Sequence, residues 1–334
     1  MRNPRLLTFW RRLGRDLRGH RKPPLLLLRR GRLMRAEAHR PTSVGSMDTY
    51  LLAGRPVHRI GFGAMQLPGP GVMGPPRDRD EAVAVLRRAV ELGVDHVDTA
   101  QYYGPDVANE LIHEALHPYP EGLVLVSKVG AVRDEQGGWP AAQRPEQLRA
   151  GVEDNLRSLG VERLGAVNLR LLDHPSDDPA QSVPLEDQLG EMVALREEGK
   201  IAGVGISNAS LEQVETAIGL AGVACVQNAF SLVDQHDAPV LDRCAEAGIP
   251  YVPFFPLGSA FPGMPKVSDD AAVRTVAERL EATPAQVGLA WLLAHRDNVL
   301  LIPGTSRVAH LEQNLAAGDL RLSEEDLAEL SAGR

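Results

Sequence analysis

The stretch EAVAVLRRAVELGVDHVDTAQYYG (81–104) decides the fold class. Its first half places Val83, Leu86 and Val90 at the spacing of an amphipathic helix, and Gly93 follows as a helix stop. The apolar residues after that glycine are typical of a buried strand. A helix that passes through one glycine into a buried strand is the repeating unit of α/β proteins.

The same alternation of strand and helix continues along the chain. Strands are predicted near 59–63 and at 95–100, 122–128, 164–170, 201–207, 223–228, 248–256 and 299–304, with helices between them. Eight such units without a second break in composition predict an α/β fold, a single-domain (β/α)8 TIM barrel. A doubly wound dinucleotide fold is disfavoured, because GFGAMQ (61–66) lacks the third glycine of its fingerprint.

Short elements are predicted at both ends of the barrel. An N-terminal hairpin precedes the first barrel strand and turns at Ala53-Gly54. A C-terminal tail helix covers 323–330, and Ser323 begins it with a capping-box pattern.

Charge divides the chain into two parts. The 334 residues carry a net charge of −8, yet residues 1–46 hold 13 basic and two acidic side chains. We expect 1–46 to be a disordered extension, consistent with an artefact of upstream translation, and 47–334 to be the barrel, with Met47 as the working start. A polyanion-binding arm is the alternative for the extension.

Composition also excludes several classes of protein. No apolar run approaches the roughly 20 residues that span a bilayer. Two cysteines, Cys225 and Cys244, are too few for a disulfide framework and fit a reducing cytosol, so we expect a cytoplasmic protein. No Cys/His cluster has metal-ligand spacing, and the acidic barrel is not expected to bind nucleic acid.

Polar residues close several of the predicted strands, at the barrel face that carries chemistry. Asp98 ends the second strand and Lys128 the third, so the two are expected to pair. An ammonium group near Tyr103 would lower its phenol pKa from about 10 and make it a tuned proton donor. Such a donor suits an oxygen that gains negative charge, as when hydride reaches a carbonyl. The alternative is a rim ion pair with a capped turn and a tyrosine that covers the core.

The chain from residue 48 to near its C-terminus resembles the aldo-keto reductase family. The resemblance rests on five segments: DTAQYYG (98–104), VSK (126–128), GVGISN (203–208), FFPLG (254–258) and IPGTSRVAHLEQN (302–314). Together these motifs are specific, although each alone is a weak signal.

The resemblance implies roles for particular residues. Asp98, Tyr103 and Lys128 take the catalytic positions. Residues expected to bind the nicotinamide half of the cofactor, or to lie beside it, are Ser207, Asn208, Gln227, Phe254, Pro256 and Leu257. Those expected at the adenosine half are Gly304, Thr305, Ser306, His310, Gln313 and Asn314. Because His310 stands where a cation often meets the 2′-phosphate, NADPH is expected rather than NADH.

One position departs from the family pattern. The usual fourth catalytic residue, a histidine, is replaced by Arg170 in AVNLR (166–170), while His174 falls in the following loop. A guanidinium does not titrate near neutral pH, but it can donate hydrogen bonds and fix a positive charge. A structural pairing with an acidic residue is the alternative.

This departure resembles bacterial pyridoxal reductase-type members, which implies reduction of pyridoxal to pyridoxine. Met65, Tyr102 and Trp139 are candidates for the substrate lining. Two other functions stay open: a general aldehyde or ketone reductase, and a catalytically weak NADP-binding regulatory protein.

Overall fold

The structure is a computed structural model that describes residues 49–172, 176–258 and 264–332. The expected extension 1–46, Met47 and His174 lie outside the described residues.

A β-hairpin opens the described chain. Strands β1 (Thr49–Leu52) and β2 (Arg55–His58) pair antiparallel. Ala53 and Gly54 join them with φ of 50° and 79°, so both adopt the left-handed conformation that tight hairpin turns need. The predicted hairpin is therefore confirmed.

Six parallel strands follow in chain order and form one sheet. They are β3 (Phe62–Gly63), β4 (His96–Asp98), β5 (Val124–Val129), β6 (Leu164–Arg170), β7 (Ile201–Ser207) and β8 (Val223–Gln227). Their residues are nearly all buried, as expected for parallel strands covered on both faces.

The seventh and eighth predicted barrel strands close the ring through single bridges rather than ladders. Tyr251 bridges Val226 on one side and Val299 on the other, and Leu301 bridges Ile60. Leu301 N–H also donates to the Arg59 carbonyl at 2.7 Å. Prolines 250, 253 and 303 interrupt both segments and cannot donate backbone hydrogen bonds, which explains why no regular ladder forms.

Helices alternate with the strands and pack outside them. They are α1 (Arg79–Glu91), α2 (Val107–Leu116), α3 (Pro145–Leu159), α4 (Leu185–Glu197), α5 (Leu211–Ala221), α6 (Ala238–Glu246), α7 (Ala271–Arg279), α8 (Pro284–His295), α9 (Val308–Ala316) and the tail helix α10 (Glu324–Ser331). The predicted (β/α)8 barrel is thus confirmed. Within the described ranges, none of these helices has the length and apolar character to cross a membrane.

The alternation of side chains along each strand determines which residues face the barrel interior. On β5, Val124 and Val126 face a small apolar cluster that also contains Ala166 of β6, so the next residue on that face of β5 is Lys128. The same two-residue period along β6 carries Ala166 to Arg170. The inward faces are therefore apolar at the base of the barrel and polar where the strands end.

Candidate active site

A buried ion pair joins the ends of β4 and β5. Lys128 Nζ donates to Asp98 Oδ1 and, at 3.0 Å, to the backbone carbonyl of Thr99. Gln227 Nε2 at the end of β8 donates to the other oxygen, Asp98 Oδ2, at 2.9 Å. Both carboxylate oxygens thus have partners, which a buried charge requires, and three strand ends are tied to one carboxylate.

Tyr103 stands over this pair. The Lys128 Nζ atom lies 5.1 Å from the centroid of its ring, and the side chain is buried while lining the cavity described below. Burial, followed by the charge of Asp98, raises the Tyr103 pKa well above its usual value of 10, and Arg170 opposes the shift. The expectation that Lys128 lowers this pKa is therefore wrong for this structure, because desolvation of the phenolate dominates.

Arg170 ends β6 beside Ser207 of the neighbouring strand. Its side chain is half-buried, lines the cavity and opposes the rise that burial causes in the pKa of both Tyr102 and Tyr103. Gln143 Nε2 donates to the Arg170 carbonyl at 3.0 Å, so the strand end is also held from the loop before α3. A fixed cation consequently faces the same space as the tyrosine phenol.

Aromatic rings form the wall next to Tyr103. The Tyr102 ring lies 5.5 Å from Tyr103 and 5.3 Å from Trp139, edge to face in both pairs. The Arg133 guanidinium stacks on the Trp139 ring at 4.0 Å and donates to the Gly71 carbonyl at 2.8 Å. The loop after β5 is thereby fastened to the loop after β3, where Met65 also lines the cavity.

The ends of β7 and β8 place two amide-bearing residues, Asn208 and Gln227, at the same face. Asn208 adopts the left-handed conformation with φ of 59°, and its side-chain amide donates to the Leu171 carbonyl at 3.0 Å. Its backbone N–H donates to the Gln227 carbonyl at 3.1 Å. Ser207, Asn208 and Gln227 therefore lie side by side at adjacent strand ends.

A cavity of about 1360 Å³ connects these groups. It exceeds the roughly 300–1,000 Å³ of common small-ligand pockets. The predicted residues that line it are Asp98, Tyr103, Lys128, Arg170, Ser207, Asn208, Gln227, Phe254, Pro256, Leu257, Gly304, Ser306, Asn314, Met65, Tyr102 and Trp139. The structure thus brings together most of the residues singled out from the sequence.

Three predicted residues lie off the cavity wall. Thr305 is buried, and its hydroxyl accepts from the Arg307 N–H at 3.2 Å. His310 and Gln313 lie exposed on α9. Arg307, rather than His310, is the cationic side chain of this segment that lines the cavity.

Residues that the motif comparison did not single out also line the cavity, among them Gln66, Glu81, Gln213 and Asp237. Glu81 Oε1 accepts from the Val308 N–H at the start of α9 at 3.0 Å. Asp237 immediately precedes α6. Their position in the sequence was the available signal, because polar residues in the first turn of a barrel helix, or just before it, lie at the same end of the fold as the strand ends.

Two glycines of the cavity lining face each other where the first and last barrel segments meet. A Cβ added at Gly304 would lie 2.5 Å from the Gly63 carbonyl oxygen, and one added at Gly63 would lie 2.5 Å from the Ile302 oxygen. Only glycine permits this approach of the two backbones. These two glycines of the cavity lining therefore allow the two barrel segments to pack closely.

A second layer of hydrogen bonds holds the strand ends from behind. Thr99 Oγ1 donates to Asn109 Oδ1 at 2.8 Å, and Asn109 Nδ2 donates to Asn155 Oδ1 at 2.9 Å and to Ser158 Oγ at 2.9 Å. Ser127 Oγ donates to the same Asn155 oxygen at 2.5 Å. Strands β4 and β5 are thus fixed to α2 and α3 directly beside Asp98 and Lys128.

Comparison with known proteins gives a family and a set of relatives. A model of the aldo/keto reductase family matches residues 59–333. Pyridoxine 4-dehydrogenase of Escherichia coli K12 is 46% identical over 285 residues, covering 85% of this chain and 98% of that protein. An uncharacterized oxidoreductase of Schizosaccharomyces pombe is 37% identical over 274 residues, covering 82% and 86%.

Solved structures agree with the barrel. An aldo/keto reductase from Klebsiella pneumoniae, crystallised with NADP and acetate, is 27% identical with a TM-score of 0.71, and the match covers 85% of this chain and 94% of that one. The thermostable reductase Tm1743, crystallised with the inhibitor epalrestat, is 29% identical with a TM-score of 0.72, covering 86% and 99%.

Proposed function

The chain belongs to the aldo/keto reductase family, and we propose that it catalyses the NADPH-dependent reduction of pyridoxal to pyridoxine. The observation that carries the reductase chemistry is the buried phenol of Tyr103 over the Lys128–Asp98 pair. The pyridoxal assignment is supported by the 46% identity to the E. coli pyridoxine 4-dehydrogenase.

Cofactor choice follows from the relatives and from the cavity. Two crystal structures of aldo/keto reductase from K. pneumoniae contain NADP or NADPH. The residues present fit such a dinucleotide, because Ser207, Asn208 and Gln227 on the cavity wall offer hydrogen-bonding groups for a carboxamide. Arg307 offers positive charge for a 2′-phosphate. When bound, NADPH supplies the hydride that reaches the carbonyl carbon.

Tyr103 and Lys128 of this chain act on the proton that the carbonyl oxygen of the substrate receives. Tyr103 keeps its proton across the neutral range because its pKa is raised, so it can donate that proton to the carbonyl oxygen of the substrate. Lys128, anchored by Asp98 and Thr99, places a cation near the phenolate that remains. The buried Tyr102 ring and the partly buried Trp139 ring form the apolar wall of this space.

The position of Arg170 favours pyridoxal over a simple aldehyde as the substrate. Pyridoxal carries a phenolic oxygen ortho to its aldehyde, so a substrate held at Tyr103 presents a second, anionic oxygen beside its carbonyl. The half-buried Arg170 guanidinium faces the cavity close enough to shift the Tyr103 pKa. A fixed guanidinium is a strong hydrogen-bond donor to such an oxygen.

The test is NADPH oxidation followed at 340 nm by the full chain, with pyridoxal set against simple aldehydes and ketones. We expect pyridoxal to have the highest kcat/KM, and Arg170→His to lower it at least tenfold with little effect on simple aldehydes. Equal turnover of all carbonyls by both proteins would favour a general reductase. NADPH binding without turnover of any carbonyl would favour the regulatory alternative.

A further inference from the structure

We propose that Asp237 is a positioning residue that acts through Asn228 to hold the 207–209 segment in the shape that binds the nicotinamide end of the cofactor. The proposal rests on the proposed function, because it concerns the same cofactor site. None of the motifs quoted above contains Asp237.

Asn228 clamps the backbone just beyond Asn208. Its Oδ1 accepts from the Ala209 N–H at 3.0 Å, and its Nδ2 donates to the Ala209 carbonyl at 2.8 Å. Asn228 is only 4% exposed, so water does not compete for these bonds. Both backbone groups of Ala209 are thereby fixed by one side chain.

Asp237 fixes the clamp in turn. Its Oδ2 accepts from Asn228 Nδ2 at 2.8 Å and from the Tyr251 hydroxyl at 2.7 Å. Tyr251 is fully buried on the seventh barrel segment. One carboxylate oxygen therefore links the start of α6 and the barrel wall to Asn228, and Asn228 passes the constraint to the 207–209 segment.

The segment contains a left-handed residue, and its contacts hold that conformation. Asn208 has a φ of 59°, which asparagine adopts more readily than most L-residues, and hydrogen bonds from its side chain and its backbone N–H support it. A relaxed backbone at this point would turn Ser207 and Asn208 away from the positions they hold on the cavity wall. The predicted consequence is weaker cofactor binding with the proton-donating groups left in place.

Ionisable groups around Asp237 set its charge. Burial raises its pKa to about 6, while the bonds from Tyr251 and Asn228 and the charge of His236 oppose the shift and Asp234 adds to it. The buried Cys244 thiol of α6 also faces it. Since hydrogen bonds to a carboxylate are stronger than those to a neutral acid, we expect the clamp to weaken as the pH falls through about 6.

The experiment compares Asp237→Ala and Asp237→Asn with the control Asp234→Asn in the full chain. Asp234 lies on the same loop, but its carboxylate contacts His236. NADPH dissociation is measured by fluorescence titration at pH 5.5 and 7.5, and KM and kcat are measured with saturating aldehyde. We expect Asp237→Ala to raise the Kd and KM for NADPH about tenfold at pH 7.5, with kcat changed less than about twofold.

Asp237→Asn keeps one acceptor oxygen, so it should bind NADPH more tightly than Asp237→Ala. Because its amide does not titrate, its affinity for NADPH should not fall from pH 7.5 to pH 5.5, whereas that of the wild type should. The control should bind NADPH like the wild type at pH 7.5. Variants of Asp237 with wild-type affinity for NADPH would overturn the inference even if their melting temperatures fell, as would equal losses in kcat and affinity. If the wild type itself neither bound NADPH nor reduced an aldehyde, the proposed function would fail together with this inference.

Discussion

Tyr103 combines a strongly raised pKa with a position above a buried cation. If it is the proton donor, Tyr103→Phe removes the donated proton while keeping the ring that packs on Tyr102 and Trp139. We expect kcat for aldehyde reduction to fall by about 10²–10⁴-fold, the usual contribution of a general acid. Fluorescence titration should show an unchanged Kd for NADPH, and an active Phe variant would remove Tyr103 from this role.

The raised pKa of Tyr103 predicts that aldehyde reduction and alcohol oxidation depend on pH in different ways. A phenol whose pKa lies above its ordinary value stays protonated through neutral and mildly alkaline pH, so aldehyde reduction should keep its donor there. Alcohol oxidation needs the phenolate as base, so its rate should rise with pH. Single-turnover rates at saturating cofactor test this, and a reduction rate that falls between pH 7 and 9 would contradict it.

At the residue scale, the sequence predicted the positions of Asp98 and Lys128 but not the direction of the Tyr103 pKa shift. Asp98 and Lys128 could be identified because parallel strands end at a common face, so a polar residue that closes an apolar strand marks that face. The direction of the Tyr103 shift depends on burial by Tyr102 and Trp139, which come together from two different loops. Burial of that kind has no signature in a local motif.

At the scale of elements, buried amides connect helices to the strand ends that carry Asp98 and Lys128. Asn109 on α2 is fully buried and bonds Thr99, Asn155 and Ser158. Asn109→Ala removes the acceptor of the Thr99 hydroxyl and one donor to each of Asn155 Oδ1 and Ser158 Oγ, and we expect it to lower the free energy of unfolding by about 2–3 kcal/mol. The neighbouring exposed Glu110→Ala is the control, with an expected change within about 0.5 kcal/mol.

Urea unfolding followed by circular dichroism measures both changes. Because Thr99 also accepts from Lys128 through its carbonyl, the Asn109 variant should lose some kcat as well. An Asn109→Ala protein as stable as the Glu110→Ala protein would show that water replaces the missing amide at no cost.

Helices and strands could be predicted where a single apolar periodicity determined them. Most helices and the six strands of the sheet follow apolar periodicity, and the cap predicted at Ser323 forms. The seventh and eighth strands were predicted as full strands, but prolines reduce them to single bridges. Their pairing partners come from the first barrel segment and β8, far away in sequence, so only closure of the ring determines them.

Across the whole molecule, stability and chemistry occupy opposite ends of the barrel. The hairpin side chains Leu52 and Val57 pack against Val124, Val126 and Ala166 at the base, whereas the cavity opens where the strands end. In a barrel of this kind the lower end contributes mainly to stability. The hairpin was predictable from the Ala53-Gly54 turn, but its position beneath the barrel was not, because a two-residue turn carries no information on the partner surface.

This division predicts that hairpin mutations change stability without changing catalysis. Leu52 is 2% exposed and Leu51 on the same strand is 57% exposed, so the two leucines form a matched pair. Leu52→Ala should lower the free energy of unfolding by about 2–4 kcal/mol through lost burial and an incompletely collapsed cavity, whereas Leu51→Ala should change it by less than about 0.5 kcal/mol. Both variants should keep the wild-type kcat/KM at 25 °C, because the hairpin contacts none of Asp98, Tyr103 and Lys128. A Leu52→Ala protein that remained folded at 25 °C yet lost activity would show that the base of the barrel is coupled to the strand ends, which the separate apolar and polar inward faces argue against.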